Sequence, residues 1–580
     1  MTRTDSFVVG ALVVLLAVVA GLIGIPALQP SGATASLSPR PGASALPIAS
    51  RPYVEGALGT PVSVSPLTAV TQVDRDLVAL VFAGLVRNGP RGSMVPDLAE
   101  RWSVDPTGTT WTVRLRADAR WHDGEPVTAD DVVFTIRTLQ DPAYPGAAAK
   151  SWSDVTVAAT DARIVTFTLS TPLGGFLQAL TQPIAPAHLL ADVPIELLPD
   201  HPFGQQPVGS GAFSIADLTG DGARLVPATG IPAEAPSADP GALPTDSLRT
   251  PAPAVRPERP LPYLAGIDIQ FYDDPARLAA DFRAGRLDAV SGLPPELAAE
   301  LGATDGSRLL RYPGATLTTV LLNLRPTHPE FAVPAVRTAL LAAIDRGALV
   351  RSAFAMSAAT AAGPIPPSSP MFDAAADPPV VYDTKAARKA LKAADWTEEE
   401  DGWHLPKAKS PLTIEVLSPT RAANPGLFEA AERVTADWKA IGLTVTHVDL
   451  PPSEFVADRL ARGEFAAAVV DVTLGLDPDL YPLLASSQTL AGRSNIIGVQ
   501  DPTLDALLVS ARAPGTEVER KTAYKALQEQ LAKGRYLLPL AFADEVVAVH
   551  DVLQGPVVRQ VTDPSDRFWD VLTWRLAEGR

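Results

Sequence analysis

Strand-like and helix-like segments alternate along most of this 580-residue chain. In WTVRLRADARW, Trp111, Val113 and Leu115 share one face of an extended strand. The segment from Val333 to Val350, VPAVRTALLAAIDRGALV, has the spacing of one amphipathic helix, and YLLPLAFADEVVAVH predicts a pair of strands near the C-terminus. Because such alternation is typical of α/β proteins, the sequence predicts that class, and the length predicts several domains.

The composition excludes several kinds of site. Without any cysteine the chain has no disulfide framework, no thiolate nucleophile and no cysteine-ligated zinc. Its 65 acidic and 48 basic residues give a net charge of −17, which disfavours nucleic-acid partners. The seven histidines lack the spacing of a zinc site. We therefore expect no resident metal and no cofactor, although a solute that is itself a metal chelate stays open.

An apolar segment close to the N-terminus predicts targeting to a membrane. From Phe7 to Leu28 the chain is uncharged for about 22 residues, enough to span a bilayer. The ATAS tetrapeptide at 33–36 resembles a signal cleavage site. We expect residues 1–30 to be a transmembrane anchor or a cleaved signal segment, and residues 31–52 to be a flexible linker. The remaining chain is then extracytoplasmic.

The stretch WHDGEPVTADD, from Trp121 to Asp131, combines a histidine with several acids. Thr128 and Asp131 have the spacing of a helix capping box, and Gly124 lies in turn-forming sequence. We interpret the stretch as a turn followed by a capped helix, not as a catalytic or metal site.

A proline- and alanine-rich segment, residues 227–260, interrupts the alternation. It has little apolar periodicity and low sequence complexity. The sequence predicts a disordered surface insertion there.

Four segments, in this order, resemble the family 5 extracellular solute-binding proteins. Residues 84–139 (GLVRNGPRGSMVPDLAERW through DDVVFTIRTL) carry the most specific match. The other three are PVGSGAF at 207–213, LLNLRPTHPEFAVPAVRTALLAAIDRGALV at 321–350, and YDTKAARKALKAADW at 382–396. Members of that family are receptors of ABC importers for oligopeptides, dipeptides, nickel and related solutes.

The resemblance implies an α/β, two-lobed clamp of the periplasmic-binding-protein type (type II, cluster C), with an additional domain on the first lobe. Its domain boundaries would be 53–73, 206–318 and 544–580 for lobe I, 74–205 for the additional subdomain, and 319–543 for lobe II. The chain would cross between lobes near Thr318–Arg325 and return near Leu537–Asp544.

The resemblance also implies the function. A non-enzymatic, monomeric receptor would bind a small molecule or peptide between its lobes and deliver it to ABC permease subunits, with its N-terminal helix in the membrane. An alternative is a surface-anchored sensor or assembly partner that uses the same clamp without transport. A third hypothesis, a hydrolase with Ser210 as nucleophile, is disfavoured because PVGSGAF lacks the first glycine of a nucleophile elbow.

Candidate ligand contacts lie on the loops that the resemblance places at the cleft. These candidates are Thr68, Thr71, Asn323, Arg325, Thr473, Asp477 and Tyr481. Peptide-binding members of the family commonly pair the ligand amine with an aspartate at a position that is Leu474 here. This departure weakens the expectation of peptides with a free N-terminus.

Overall fold

Two long antiparallel strands, Ser307–Leu322 and Leu537–His550, lie in the middle of the largest sheet. We call them the crossing strands. The structure is a computed structural model that describes residues 51–89, 93–144, 152–228, 262–489 and 493–577. Leu537–His550 is one continuous strand, so the predicted pair of strands is wrong here. Both halves stay extended because each pairs with Ser307–Leu322.

Ten strands of the described residues follow one another across this sheet, and an eleventh, Ala358–Thr360, pairs with Leu537–His550. The order is Thr444–Leu450, Thr413–Pro419, Ala467–Thr473, Ser307–Leu322, Leu537–His550, Ala289–Ser291, Tyr53–Leu58, Ile267–Tyr272, Gly222–Pro227 and Phe213–Leu218. Parallel and antiparallel neighbours both occur, which fits the predicted α/β class.

The pairing between the crossing strands is interrupted between Pro313 and Leu317. Before Pro313, the first crossing strand pairs with the C-terminal half of the second, which continues to Ala289–Ser291. After Leu317, it pairs with the N-terminal half of the second and, on its other edge, with Ala467–Thr473. The two halves of each crossing strand therefore belong to different parts of the sheet.

A separate four-stranded antiparallel sheet is inserted after the first strand of the large sheet. Its order is Ala99–Val104, Thr110–Leu115, Ile164–Leu169 and Val155–Asp161. Trp111, Val113 and Leu115 are buried, as the alternation in WTVRLRADARW predicts. Shorter pairs are Val86–Asn88 with Met94–Pro96, Thr397–Glu399 with Gly402–His404, and Leu553–Gln554 with Arg575–Leu576.

The longer helices cover the sheets and bury their apolar sides. They are Gln72–Val81, Ala129–Gln140, Pro275–Arg283, Pro295–Gly302, Pro334–Ala342, Arg346–Ala353, Thr384–Ala393, Pro425–Ala440, Pro502–Arg512 and Glu517–Gly534. The single helix predicted from Val333 to Val350 is wrong. Two helices form because the Asp345 side chain accepts a hydrogen bond from the Ala348 backbone N–H at 2.8 Å and caps a new helix.

The buried apolar side chains of the described residues form four clusters, and none of these clusters crosses the interruption. Two clusters draw their buried residues from 53–312 and 546–574. The other two draw them from 317–542. The described chain thus has two lobes with separate cores, and we call them the first and the second lobe.

Two predictions concern residues that the structure does not describe. The apolar segment and linker, 1–52, lie almost wholly outside the described residues, and so does nearly all of the proline-rich segment 227–260. None of the helices in the described part of the chain combines the length and apolar character needed to cross a bilayer.

Candidate ligand-binding cleft

A small pocket of about 10 Å³, the volume that one water molecule needs, lies in the first lobe at the carboxyl ends of two parallel strands, Tyr53–Leu58 and Ala289–Ser291. Gln72 and Glu545 also line it. In open α/β sheets, ligands bind outside the carboxyl ends of parallel strands. Glu545 pairs with Tyr312, which precedes the interruption of the crossing strands. The pocket therefore adjoins the junction between the lobes.

A buried ionic network forms the floor of this pocket. The Arg567 guanidinium bonds Glu55 Oε1 at 2.7 Å and both carboxylate oxygens of Asp76, at 2.8 and 2.7 Å. The Tyr53 hydroxyl donates to Glu55 Oε2 at 2.7 Å. All four residues are buried. Because buried charges are tolerated only when paired, this network fixes the floor, and it leaves one net negative charge.

Glu545 is the acid of the pocket whose carboxylate forms no hydrogen bond or ion pair with any described residue. Burial raises the pKa of its carboxyl to about 7. Arg567 opposes this rise, whereas Asp76, Asp563 and Glu55 add to it. An unpaired carboxyl beside a net negative floor favours a proton or a cationic group of a ligand.

The second lobe contributes polar side chains next to the interruption. Thr473 is exposed at the end of its strand, and its hydroxyl lies 3.0 Å from that of Thr316. Asp471 accepts a hydrogen bond from Thr318 Oγ1 at 2.6 Å. The Asp471 carboxyl remains accessible, yet the protein atoms crowded around it raise its pKa. A carboxyl that solvent can reach but that protein atoms surround is typical of a concave surface.

The two predicted contacts of the first lobe take part in local hydrogen bonds. The Thr68 hydroxyl lies 2.6 Å from that of Ser63. Thr71 is the N-cap of Gln72–Val81, where its Oγ1 accepts from the Asp74 backbone N–H at 3.0 Å. Both residues are half-buried, and Thr71 directly precedes the pocket residue Gln72.

Asn323 and Arg325, at the end of the first crossing strand, hold neighbouring loops in place. The fully buried Asn323 amide donates to the Gly463 and Phe465 carbonyls at 3.0 and 2.8 Å. The Arg325 guanidinium donates to Asn323 Oδ1 at 3.1 Å and to the Ile496 carbonyl at 2.6 Å. These bonds satisfy the Asn323 amide, so the geometry favours a structural role for it.

Asp477 and Tyr481 belong to one loop that is anchored to the second lobe. Both Asp477 carboxylate oxygens bond the Arg520 guanidinium, at 2.7 and 2.6 Å, and the Tyr524 hydroxyl donates to Oδ1 at 3.1 Å. The Tyr481 ring lies under the Arg512 guanidinium, 4.4 Å from its centroid. These contacts favour a structural role for Asp477.

The residues around His122 hold a turn, as the sequence predicts. The Asp131 carboxylate accepts from the Thr128 backbone N–H at 2.7 Å and its Oγ1 at 3.1 Å. His122 Nε2 bonds the Gly211 carbonyl at 3.0 Å. Ser210 Oγ accepts from the Ala83 backbone N–H at 3.3 Å and contacts no histidine or acid in the hydrogen bonds of the described residues.

One group of potential metal ligands occurs among the described residues. Single ligand atoms of Glu399, Asp401 and His404 lie within 4.8 Å of one another on a hairpin of the second lobe. His404 Nε2 lies 2.8 Å from Asp401 Oδ1, and this hydrogen bond raises the pKa of the histidine. A hydrogen bond between the histidine and the carboxylate accounts for the arrangement.

The sequence reasoning missed Glu545. A signal was present, because Asp544 and Glu545 interrupt an otherwise apolar strand, LLPLAFADEVVAVH. Acids are rare at central positions of buried strands, so their presence indicates either pairing or function. Which of these applies to Glu545 depends on residues far away in the sequence, such as Asp76 and Arg567.

The model of the bacterial extracellular solute-binding proteins, family 5, matches residues 93–492. The Streptomyces lividans protein XP55 is 26% identical over 521 residues, which cover 87% of this chain and 86% of XP55.

Two solved structures share the fold. HbpA2 from Haemophilus parasuis has a TM-score of 0.72 and 22% identity, covering 90% of this chain and 99% of HbpA2. The oligopeptide-binding protein AppA from Bacillus subtilis, solved with a nonapeptide, has a TM-score of 0.65 and 22% identity, covering 91% of this chain and 100% of AppA. Together with the match to the family model, these findings identify the two-lobed fold, and the chain belongs to family 5 of the bacterial extracellular solute-binding proteins.

Proposed function

We propose that this protein is an extracytoplasmic receptor that binds a small solute between its lobes and delivers it to an ABC import permease. The observation that carries the proposal is the division into two lobes with separate cores, with the unpaired Glu545 beside the interrupted crossing strands that join them. Two lobes with separate cores that are joined by a pair of strands suit a hinge, and closure around a solute gives the permease a distinct form to recognise.

The lobe boundaries expected from the resemblance are kept as part of the proposal. They are 53–73, 206–318 and 544–580 for lobe I, 74–205 for the additional subdomain, and 319–543 for lobe II. The interruption between Pro313 and Leu317 and the division of the apolar clusters support a boundary within a few residues of 318 and 544.

The solute is proposed to be a peptide or a peptide-like molecule. AppA and a Pseudomonas aeruginosa di/tripeptide-binding protein, 23% identical over 531 residues, are named for peptides. Leu474 is buried, so it offers no partner for a ligand amine. Glu545 and Asp471 provide carboxyl groups near the junction instead. Thr68, Thr71 and Thr473 remain proposed contacts, and so, with less support, do Asn323, Arg325, Asp477 and Tyr481.

The site is proposed to bind and not to catalyse. Membrane attachment through residues 1–30, or secretion after cleavage there, is proposed from the apolar sequence alone. Partners are proposed to be ABC permease subunits.

Thermal unfolding of solute-stripped protein with peptides, sugars and metal chelates tests the binding proposal. A ligand that binds only the folded state raises the unfolding temperature, and the rise grows with ligand concentration. We expect a concentration-dependent rise with at least one class, and a smaller rise for Glu545→Gln if the ligand is cationic. No rise with any class, together with no small molecule in the mass spectrum of freshly purified protein, contradicts it.

Capture of a permease by the full-length protein from solubilised membranes separates transport from sensing. Recovery of permease subunits supports delivery. Binding of solute without any permease supports the alternative of a sensor or assembly partner.

A further inference from the structure

A second contact joins the two lobes, apart from the crossing strands. Gln178 and Gly174 lie in the additional subdomain, whose core belongs to the first lobe. Gln178 Oε1 accepts hydrogen bonds from the backbone N–H groups of Leu476 and Asp477, at 3.0 and 3.1 Å. The Gly174 N–H donates to the Arg512 carbonyl at 2.7 Å. We call these five residues, Gly174, Gln178, Leu476, Asp477 and Arg512, the interlobe contact.

Glycines allow the two surfaces to approach closely. A Cβ atom on Gly175 would be 2.7 Å from Asp477 Oδ2, and one on Gly174 would be 3.0 Å from the Ala513 carbonyl oxygen. Gly108, which has a φ of +73°, packs in the same way against the ring of Pro514. Larger side chains at these positions would push the lobes apart.

The second-lobe side of the contact is rigid. The Arg520 guanidinium and the Tyr524 hydroxyl hold the Asp477 carboxylate, and Tyr524 also donates to the Pro478 carbonyl at 3.0 Å. The Asp479 carboxylate pairs with Arg512 at 3.0 Å. The backbone N–H groups that meet Gln178 are therefore presented by a loop that does not need to be ordered on closure.

We propose that Gln178 is a latch that stabilises the closed clamp before solute arrives and thereby sets the apparent affinity for solute. The inference rests on the proposed function, since it requires lobes that open and close. In the open form water hydrates the Gln178 oxygen and the two N–H groups; in the closed form they pair with each other. Removing the shared acceptor leaves both N–H groups unpaired only in the closed form, so it shifts the population towards the open form.

The size of the effect follows from the two hydrogen bonds. Loss of the latch should lower the closed-to-open ratio by about 5- to 150-fold. Because solute binds the closed form, the apparent dissociation constant rises as the closed fraction falls.

Interlobe distances of the solute-stripped protein, measured by pulsed electron paramagnetic resonance, test the latch without a known solute. The chain has no cysteine, so spin labels attach only at introduced sites, Arg137→Cys in the first lobe and Lys389→Cys in the second. Both positions are exposed and lie on helices.

The informative variant is Gln178→Met, which keeps the length of the side chain and loses the acceptor. Gln182→Met is the matched control, because within the described residues the Gln182 side chain bonds only the adjacent Pro183 carbonyl, at 3.2 Å. We expect two distance populations in the parent, a shift towards the longer distance in Gln178→Met, and no shift in Gln182→Met. If two populations are present and Gln178→Met has the same distance distribution as its parent, the latch is overturned and the proposed function is not. A single invariant distance in every solute-stripped sample overturns the latch, and it leaves the proposed function intact because solute can still drive closure.

Discussion

Individual side chains differ in whether their hydrogen-bonding groups are already occupied within the protein. The Asn323 amide and the Asp477 carboxylate are engaged by neighbouring groups of the second lobe. The Glu545 carboxyl has no such partner among the described residues, although burial raises its pKa. A desolvated carboxyl without a hydrogen-bond partner can bind a polar or cationic group of a ligand. Glu545 is therefore the side chain whose substitution is most informative.

Glu545→Gln should be more stable than the parent, and the difference in their free energies of unfolding should grow as the pH increases. The pKa of Glu545 is raised from 4.5 to about 7 in the folded protein, so the folded state retains a proton that the unfolded chain has lost. This contribution is fully present below pH 4.5 and is lost as the pH rises through 7. The neutral amide has no such loss, so the variant should gain ~1–3 kcal/mol on the parent between pH 5 and pH 8.

Urea unfolding of both proteins at pH 5 and pH 8 measures this gain. Glu400→Gln, at an exposed position of a hairpin turn, controls for the loss of one negative charge. A stability difference between Glu545→Gln and its parent that does not change with pH would show that Glu545 is not desolvated.

Local roles could be predicted from the sequence, whereas the environment of Glu545 could not. Thr128 and Asp131 are three residues apart, so their capping interaction can be predicted from a short stretch of sequence. The groups around Glu545 come from Glu55, Asp76 and Arg567, which only the folded topology brings together. Thr71 directly precedes the pocket residue Gln72, but the hydrogen bonds of Thr68 and Thr71 depend on loop geometry that spacing does not specify.

Among the elements, the crossing strands combine two pairing registers in one pair of strands. The pattern of YLLPLAFADEVVAVH predicts two strands, because Asp544 and Glu545 divide two apolar runs. In the structure the segment is one strand, and its pairing register with the first crossing strand shifts close to these two residues. The prediction of two strands is wrong because a break in the apolar pattern does not distinguish a turn from a bulge.

Gly314→Ala should destabilise the protein at this discontinuity. A Cβ atom on Gly314 would overlap the carbonyl oxygen of Ala543 on the other crossing strand, and Gly314 also bridges to Val561. Backbone on two sides cannot move away independently, so we expect a loss of about 1–3 kcal/mol in the free energy of unfolding. Urea denaturation measures it.

Gly220→Ala is the matched control, because a Cβ atom there meets open space. Its free energy of unfolding should change by less than about 0.5 kcal/mol. Equal stabilities for Gly314→Ala and Gly220→Ala would mean that the crossing strands separate easily at the discontinuity.

In the whole molecule, the hydrophobic cores divide where the crossing strands change register. In the part of the chain that the structure describes, no cluster of buried apolar residues includes both residues before 313 and residues from 317 to 542. The interlobe contact and the crossing strands connect the lobes mainly through hydrogen bonds. Because cooperativity in unfolding follows shared buried surface, each lobe should behave largely as its own cooperative unit.

Leu340→Ala should accelerate backbone hydrogen exchange in the second lobe and leave the first lobe unchanged. Leu340 is fully buried in a cluster of that lobe, and truncation costs about 2–5 kcal/mol through lost contacts and a cavity. Mass spectrometry of exchanged peptides should show faster exchange in 334–450 and unchanged exchange in 264–301. Leu77→Ala, equally buried in the first lobe, should give the reverse pattern. Acceleration in both lobes by either variant would show that the two lobes unfold as one cooperative unit.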